Sequence, residues 1–340
     1  MMTSTAPGIT VCIANYNGGA LVLDCLSSVF SQQGSFTLEV LVHDDASTDG
    51  SMTRIRETYP SVTLLESQRN VGFCISNNRM VAAARGPFVL LLNNDAVLRP
   101  GSLEALLQGA EKYGRDCVLG LPQYTLHGDT LVDRGYCSDP FLNPIPIMDA
   151  GDHEAGIVTG ACLWTTKRVW EDVGGLPDFF ESLAEDIHFC LAARLLGYRV
   201  AVLDRPAFDH WIGKNLGGGK LVENRMTTTA RRRTLSERNK TFSMLCCYPA
   251  PALALLMPLH AISLACEALF LALSGTGRDK VVRIYGSIPG ELWRNRGNIS
   301  ALRARLMRQR TGGPGRVFAF TRWFPHKLTM LLGHGRPHVD

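Results

Sequence analysis

Residues 88–100 read Phe-Val-Leu-Leu-Leu-Asn-Asn-Asp-Ala-Val-Leu-Arg-Pro, and their reading decides the fold. Five consecutive apolar residues, Phe88 to Leu92, suit a strand buried on both faces of a parallel sheet. The run stops at Asn93-Asn94-Asp95, and Pro100-Gly101 opens a helix. Open α/β sheets bind ligands outside the carboxyl ends of their strands. Asp95 at such an end can hold a divalent cation and, through it, a phosphorylated ligand. Taken alone, the same residues also fit a plain Asn/Asp turn.

The flanking sequence repeats the pattern. Ile9–Ala14 reads as a β-branched first strand ending at Asn15-Tyr16-Asn17-Gly18-Gly19, and Leu21–Phe30 has helical apolar spacing. A second strand, Glu39–His43, closes in Asp44-Asp45-Ala46-Ser47-Thr48-Asp49-Gly50, and Ser51–Tyr59 follows as a helix. Val62–Glu66 is a third strand, then come Arg69-Asn70-Val71-Gly72-Phe73 and a helix through about Ala84. Strands and helices alternating at this spacing give an α/β class fold, an open, mostly parallel sheet flanked by helices. Right-handed crossovers put every strand's carboxyl end on one edge. Four polar clusters, at 15–17, 44–49, 69–73 and 93–95, therefore converge there.

No GxGxxG or GxxxxGK[ST] follows the first strand, so neither a dinucleotide fold nor a P-loop is supported. A nucleoside diphosphate held without such a loop needs a cation, which the Asp95 turn supplies. Asp44 and Asp45 suit hydrogen bonds from a base and ribose, while Asp49 reads as a turn and capping residue. After an irregular stretch, 115–157, regularity returns at Gly160-Ala161-Cys162-Leu163-Trp164. Phe179–Asp186 then runs into a helix to Leu196, with Gly197 as its cap. Ser182 and Glu185 have capping-box spacing. Asp186 is not needed by that box, and a helix start favours a carboxylate, so it is the better residue for chemistry. Tyr198–Leu203 is a further strand, and Asp209-His210-Trp211 follows in a loop whose His can join a metal.

The chain of 340 residues has a net charge of +4, unevenly spread. Arg278–Asp340 holds 13 Lys/Arg against 3 Asp/Glu, leaving a net of −6 for the rest. Ten cysteines form no CxxC pair and several sit in apolar runs, as reduced, buried thiols do. The opening MMTSTAPG has no signal-peptide pattern, which with the thiols suggests a cytosolic setting. Met244–Leu273 is nearly all apolar and long enough to span a bilayer. Pro249, Pro251, Pro258, His260 and Glu267 interrupt it, and basic residues flank both ends. Helices lying in the cytoplasmic membrane face fit this better than a span, with a buried hairpin as the other reading. The six arginines between Arg294 and Arg310 suit an anionic membrane surface. No nucleic-acid-reading module is present, so no nucleic acid is expected.

The sequences VCIANYNGG (11–19), VLVHDDASTDGS (40–51), RNVGF (69–73), LLLNNDAVLRPG (90–101), FFESLAEDIHFC (179–190) and FDHW (208–211) occur in one order. Together they resemble family 2 glycosyltransferases of GT-A fold, nearest the bacterial rhamnosyl- and galactofuranosyl-transferase branch. The resemblance implies a nucleoside-diphosphate sugar donor held by Asn15, Asn17, Asp44, Asp45, Asn70, Gly72 and Asn94. It implies Mn²⁺ or Mg²⁺ on Asp95 and His210, with Asn93 standing where many members have the first Asp of DxD. Asp186 becomes the catalytic base, and Gly160, Ala161, Trp164, Glu185 and Trp211 the acceptor-side candidates. His188 stands where the branch usually has Asp, and Ala192 where it often has Arg, a place Arg194 can fill.

The implied reaction is inverting transfer to a glycan or polyprenyl-linked acceptor in cell-surface polysaccharide synthesis. Residues 1–240 would form the catalytic domain, and 241–340 a helical tail on the cytoplasmic face of the membrane. A homo-oligomer stays open. The rival readings are a catalytically inactive nucleotide-sugar-binding or scaffold protein, prompted by Asn93 and Ala192, and a nucleotidyltransferase, for which no triphosphate loop is present.

Overall fold

The computed structural model describes residues 8–126, 128–211, 218–222, 225–313, 315–335 and 337–340. The chain divides into two compact units. One comprises residues up to Tyr136, Pro146–Ala193 and Tyr198–Trp211; the other comprises Cys137–Ile145, Arg194–Gly197 and Ile212–Asp340.

The first unit opens as expected: β1 (Ile9–Asn15), α1 (Leu21–Phe30), β2 (Leu38–Asp44), α2 (Ser51–Thr58), β3 (Thr63–Glu66), α3 (Phe73–Ala83) and β4 (Phe88–Asn93). β1 pairs in parallel with both β2 and β4, and β2 with β3. The register sets Asn15 against Asp44 and Ala14 against Asn93, so three polar strand ends share one edge. Leu90, Leu91 and Leu92 are buried, as a strand covered on both faces requires. Burying each such side chain contributes about 1.5–3 kcal/mol.

The irregular stretch hides most of the remaining strands. After β5 (Ala96–Leu98) and α4 (Ser102–Tyr113) come β6 (Cys117–Gly120), β7 (Gln123–Thr125) and β8 (Leu131–Asp133). Short strands β9 (Tyr136–Ser138) and β10 (Pro144–Pro146) lie where the chain passes between units, followed by β11 (His153–Glu154). Next are β12 (Cys162–Thr166), α5 (Lys167–Val173), α6 (Glu185–Leu195), β13 (Arg199–Val202) and β14 (Phe208–His210). The main sheet has the order β11-β13-β6-β12-β4-β1-β2-β3. It is mostly parallel, with β12 antiparallel to β4 and β6, and β11 antiparallel to β13. A second sheet, β5-β14-β7-β8, sets His210 against Ala96, one residue after Asp95.

Two local expectations change. His210 closes a strand rather than sitting in a loop. Leu183 and Ala184 adopt φ of +68° and +60°, so the Ser182–Glu185 capping box does not form. That box needs helical dihedrals between its two residues.

The second unit contains β15 (Gly218–Val222), β16 (Arg225–Thr228), α7 (Ala230–Cys247), α8 (Ala250–Leu273), α9 (Arg278–Val281), a π-helical turn at Val282–Gly286, α10 (Ile288–Gln309), α11 (Gly315–Phe318), α12 (His326–His334) and β17 (His338–Val339). The apolar run expected over Met244–Leu273 is two pieces, because the chain leaves the helix at Tyr248 before Pro249. Arg303 donates to the carbonyls of Leu245 and Tyr248 at 2.7 Å each, satisfying acceptors that the end of α7 leaves open. By length and composition α8 can cross a membrane, and little of it is buried.

Candidate functional site

The carboxyl edge of the main sheet is tied together through Asn15. Its Nδ2 lies 3.1 Å from Asp44 Oδ1, 3.2 Å from Ser47 Oγ and 3.1 Å from Ser51 Oγ. Its Oδ1 accepts from Asn94 Nδ2 at 3.0 Å. Glycine is required beside this junction: a Cβ on Gly18 would stand 2.3 Å from Asn15 Oδ1 and 2.9 Å from Asn94 Nδ2. Asn17 accepts from Thr48 N at 2.8 Å, and its own N–H donates to Ser47 Oγ at 2.9 Å. Asp44 Oδ2 accepts from Ser47 N at 3.0 Å.

Asp45 reaches the other way. Its two oxygens accept from the backbone N–H groups of Val71 and Gly72 at 2.6 and 2.9 Å, so it fixes the loop that carries Asn70. Gly72 has φ +89°, and a Cβ there would approach the Glu181 carbonyl to 3.2 Å. Cys74 N donates to that same carbonyl at 3.1 Å. The 69–73 loop thus packs on the segment leading into α6. Glu181, Leu183 and Ala184 all have positive φ, a conformation costing roughly 1–2 kcal/mol per non-glycine residue. Strain of this kind persists where surrounding contacts over-determine the backbone.

That strained segment delivers Glu185 and Asp186. Asp186 Oδ2 accepts from Gly160 N at 3.0 Å, and Oδ1 from Ile187 N at 2.7 Å. Ala161, next to Gly160, accepts from Asn93 N at 3.0 Å. Backbone contacts therefore connect Asp186 to the Asn93-Asn94-Asp95 turn. Glu185 is buried beside it, and Trp211 is 43% exposed with its N–H on the Asp95 carbonyl at 3.1 Å. Trp164 leaves the acceptor side: it is buried in the core and stacks on Phe88 at 5.1 Å. The insertion of β12 between β4 and β6 is what buries it. Arg194 falls in the second unit, with its guanidinium 5.1 Å from the Phe320 ring centroid.

Asp95 is buried, and its Oδ1 lies 3.1 Å from His210 Nε2, which is 3.2 Å from Asn93 Nδ2. Adjacent ligands of an octahedral ion at about 2.1 Å stand about 3.0 Å apart, so Asp95 and His210 fit neighbouring positions on Mg²⁺ or Mn²⁺. Among the described residues, no group of three or more His, Cys, Asp or Glu side chains gathers to hold a metal. A divalent ion held by this pair would take its other ligands from elsewhere.

The sequence reading missed Asp133 on β8. It is fully buried, accepts from Tyr136 Oη at 2.6 Å and Gly135 N at 2.8 Å, and feels the charges of His210 and Asp186. Burial pushes its pKa up to about 6, against the pull of the Tyr136 hydroxyl. A lone Asp in an irregular stretch carries no sequence signal for this. Ser47 reads as a turn residue and Ser51 as the first residue of a helix, although both hold Asn15.

Residues 10–174 match the model of the family described as glycosyl transferase family 2. The succinoglycan biosynthesis protein ExoO of Rhizobium meliloti is 31% identical over 109 residues, 32% of this chain and 31% of that protein. The N-acetylglucosaminyl-diphospho-decaprenol L-rhamnosyltransferase of Mycobacterium tuberculosis is 26% identical over 216 residues, 55% of this chain and 69% of that one. The chain thus spans about a third of the length of relatives such as ExoO. Among solved structures, the mannosyltransferase PcManGT of Pyrobaculum calidifontis, in complex with GDP-Man and Mn²⁺, aligns with a TM-score of 0.52. Identity there is 19%, over 90% of this chain and 86% of that one, which shows a shared GT-A fold.

Proposed function

We propose, from the premise that residues 10–174 belong to glycosyl transferase family 2, that the chain is a metal-dependent, inverting glycosyltransferase. Its donor is a nucleoside-diphosphate sugar, and its acceptor a glycan or polyprenyl-linked hydroxyl of cell-surface polysaccharide synthesis. The observation that carries this reading is one connected polar edge. It joins Asn15, Asp44 and Asn94, the Asp95–His210 pair, and Asp186 on the Gly160 N–H.

Asp44, with Asn15, Asn17 and the loop at Asn70 and Gly72, faces the nucleoside. Asp95 and His210, with Asn93 beside them, would hold Mn²⁺ or Mg²⁺, which supplies charge neutralisation to the departing diphosphate. Asp186 accepts the proton of the acceptor hydroxyl as that oxygen attacks the anomeric carbon from the face opposite the leaving group. The Gly160 and Ile187 N–H groups fix the carboxylate. One base is enough, because a neutralised diphosphate leaves without a general acid, and two carboxylates of the glycosidase kind are not needed.

We assign catalysis to residues 1–240 and a membrane-facing role on the cytoplasmic side to 241–340, with α7 running across that boundary. Exposed Leu255, Leu259, Ile262, Leu269 and Leu273 recur at helical spacing on α8, an apolar stripe suited to a lipid surface. The basic tail adds attraction to anionic headgroups.

The test is a panel of nucleoside-diphosphate sugars incubated with the full chain and lipid-extracted acceptors. The expected result is diphosphate release and sugar transfer that depend on Mn²⁺ or Mg²⁺ and stop with chelator. Donor binding without turnover of any sugar would favour the inactive binding protein instead.

A further inference from the structure

Among the described residues, His210 is hydrogen-bonded through one ring nitrogen only. Nε2 lies 3.1 Å from Asp95 Oδ1 and 3.2 Å from Asn93 Nδ2. Nδ1 is buried and has no hydrogen-bond partner there. A histidine that ligates a metal ordinarily donates its second ring N–H to a carboxylate, carbonyl or water, and that bond fixes the ring. Here the direction of the ring falls to the backbone of β14, which is only three residues long. Its neighbours β5 and β7 are equally short.

A second tie crosses the other face of this sheet. The register sets Asp209 between Val97 of β5 and Tyr124 of β7, so these three side chains share a face and His210 takes the opposite one. The His210 face carries Ala96, Leu98 and Phe208 into the core, which leaves the Asp209 face outward. Arg99, just beyond β5, reaches across β14 on that outer face. Its Nη2 donates to Asp209 Oδ1 at 2.7 Å, and its Nε lies 3.2 and 3.4 Å from the two oxygens. The guanidinium carbon stands 4.2 Å from the Tyr124 ring centroid. A planar fork on a carboxylate, stacked on a ring, sets a direction that a point charge does not. The Arg99 backbone is fixed in turn. Its N–H donates to the Ala207 carbonyl at 3.0 Å, and its carbonyl accepts from Ser102 Oγ at 2.7 Å and Gln32 Nε2 at 3.2 Å. The Arg99 and Asp209 side chains are 33% and 23% exposed, and an ion pair this open contributes little to stability.

We propose that Arg99 is a positioning residue: by clamping Asp209 from the outer face, it sets the direction of His210 toward Asp95. The proposal rests on the reading of Asp95 and His210 as a cation-holding pair. Its test uses the full chain, first without metal. Long-range ¹H–¹⁵N spectra of the histidine rings, with His210 assigned from His210→Gln, should show the His210 signals displaced or broadened in Arg99→Gln and in Asp209→Asn. The other eight histidines should stay in place. Electron paramagnetic resonance then follows the binding of Mn²⁺ alone. Each single variant should raise the Mn²⁺ Kd at least fivefold, and the double variant no further than the larger single, as two partners of one interaction do. In a His210→Gln background, Arg99→Gln should change that Kd less than twofold. If Arg99→Gln also lowers the urea midpoint, Asp209→Asn, which keeps the shape of its side chain, carries the same test. Asp133 shares the His210 side of the sheet and feels its charge, so Asp133→Asn is the control. An unmoved His210 ring overturns the proposal, and so does a ring moved by Asp133→Asn but not by Arg99→Gln. A moved ring with Mn²⁺ affinity indifferent to His210→Gln supports the positioning and removes the cation reading instead.

Discussion

Replacing Asp45 by Asn removes about one oxygen's worth of acceptor from a loop held by two backbone N–H groups. In the native chain, Val71 N and Gly72 N each donate to a separate Asp45 oxygen, at 2.6 and 2.9 Å, and the side chain is 5% exposed. The amide keeps one acceptor but turns an NH₂ toward the other N–H. A hydrogen bond to a charged partner contributes about 1.5–3 kcal/mol, and a buried donor left unsatisfied costs about 1–3 kcal/mol. The two overlap, since both describe the same N–H, so the expected loss is about 2–4 kcal/mol. It should appear in urea unfolding as a lower midpoint with an unchanged slope. Gly72 also abuts the Glu181 carbonyl, so the strained segment before Asp186 should loosen with it. Proteolysis near residues 181–184 should therefore speed up in the variant, and donor affinity should fall. A stability loss below about 0.5 kcal/mol with weakened donor binding would refute this reasoning. It would make Asp45 a ligand contact and not the clasp of the loop.

Asp95→Ala should abolish metal-dependent donor binding while leaving the fold intact; calorimetry with unchanged donor and Mn²⁺ affinity would contradict the metal assignment. Burial pushes the His188 pKa down to about 4, against about 6.5 unfolded, so the unfolded chain binds the extra proton first as pH falls. Stability is full above about pH 6.5 and drops by about 2 kcal/mol by pH 5 from this group alone, and His188→Gln should flatten that slope in urea titrations. Replacing Leu255, Ile262 and Leu269 together by Ser should weaken binding to phosphatidylglycerol vesicles at least tenfold, each lost apolar contact being worth about 1 kcal/mol or more. Equal vesicle binding by that variant would remove α8 from the membrane face.

The first ninety residues were legible because each element announces itself twice. Val11 and Ile13 of β1 and Leu90–Leu92 of β4 form apolar runs, and each run is cut by Asn, Asp or Gly at the sheet edge. The α1 boundaries, Leu21 and Phe30, follow the apolar spacing because the buried Val22, Cys25, Leu26 and Val29 make one face. Beyond residue 115 the strands are two to five residues long, too short for periodicity to separate them from turns. β12 inserts antiparallel between two strands far away in sequence, and nothing local to Trp164 records that it is covered on both sides. The site was legible as residue types at strand ends. Which oxygen meets which N–H was not, because those bonds join turns 26 to 117 residues apart. Asp133 stayed invisible for the same reason: its significance lies in burial near His210 and Asp186, a tertiary fact.

The central claim is that Asp186, fixed by Gly160 and Ile187, removes the acceptor's proton in a glycosyl transfer. Asp186→Asn keeps the shape and an oxygen for one of those N–H groups but removes the base. General-base loss typically costs about 10²–10⁴-fold in rate. The decisive measurement sets the single-turnover transfer rate of this variant beside its donor affinity by calorimetry. The account predicts a rate collapsed by at least about a hundredfold with donor affinity within about twofold of native, because nucleotide and metal are held elsewhere on the edge. Transfer at the native rate, or lost donor affinity with an intact rate in the bound state, would contradict it.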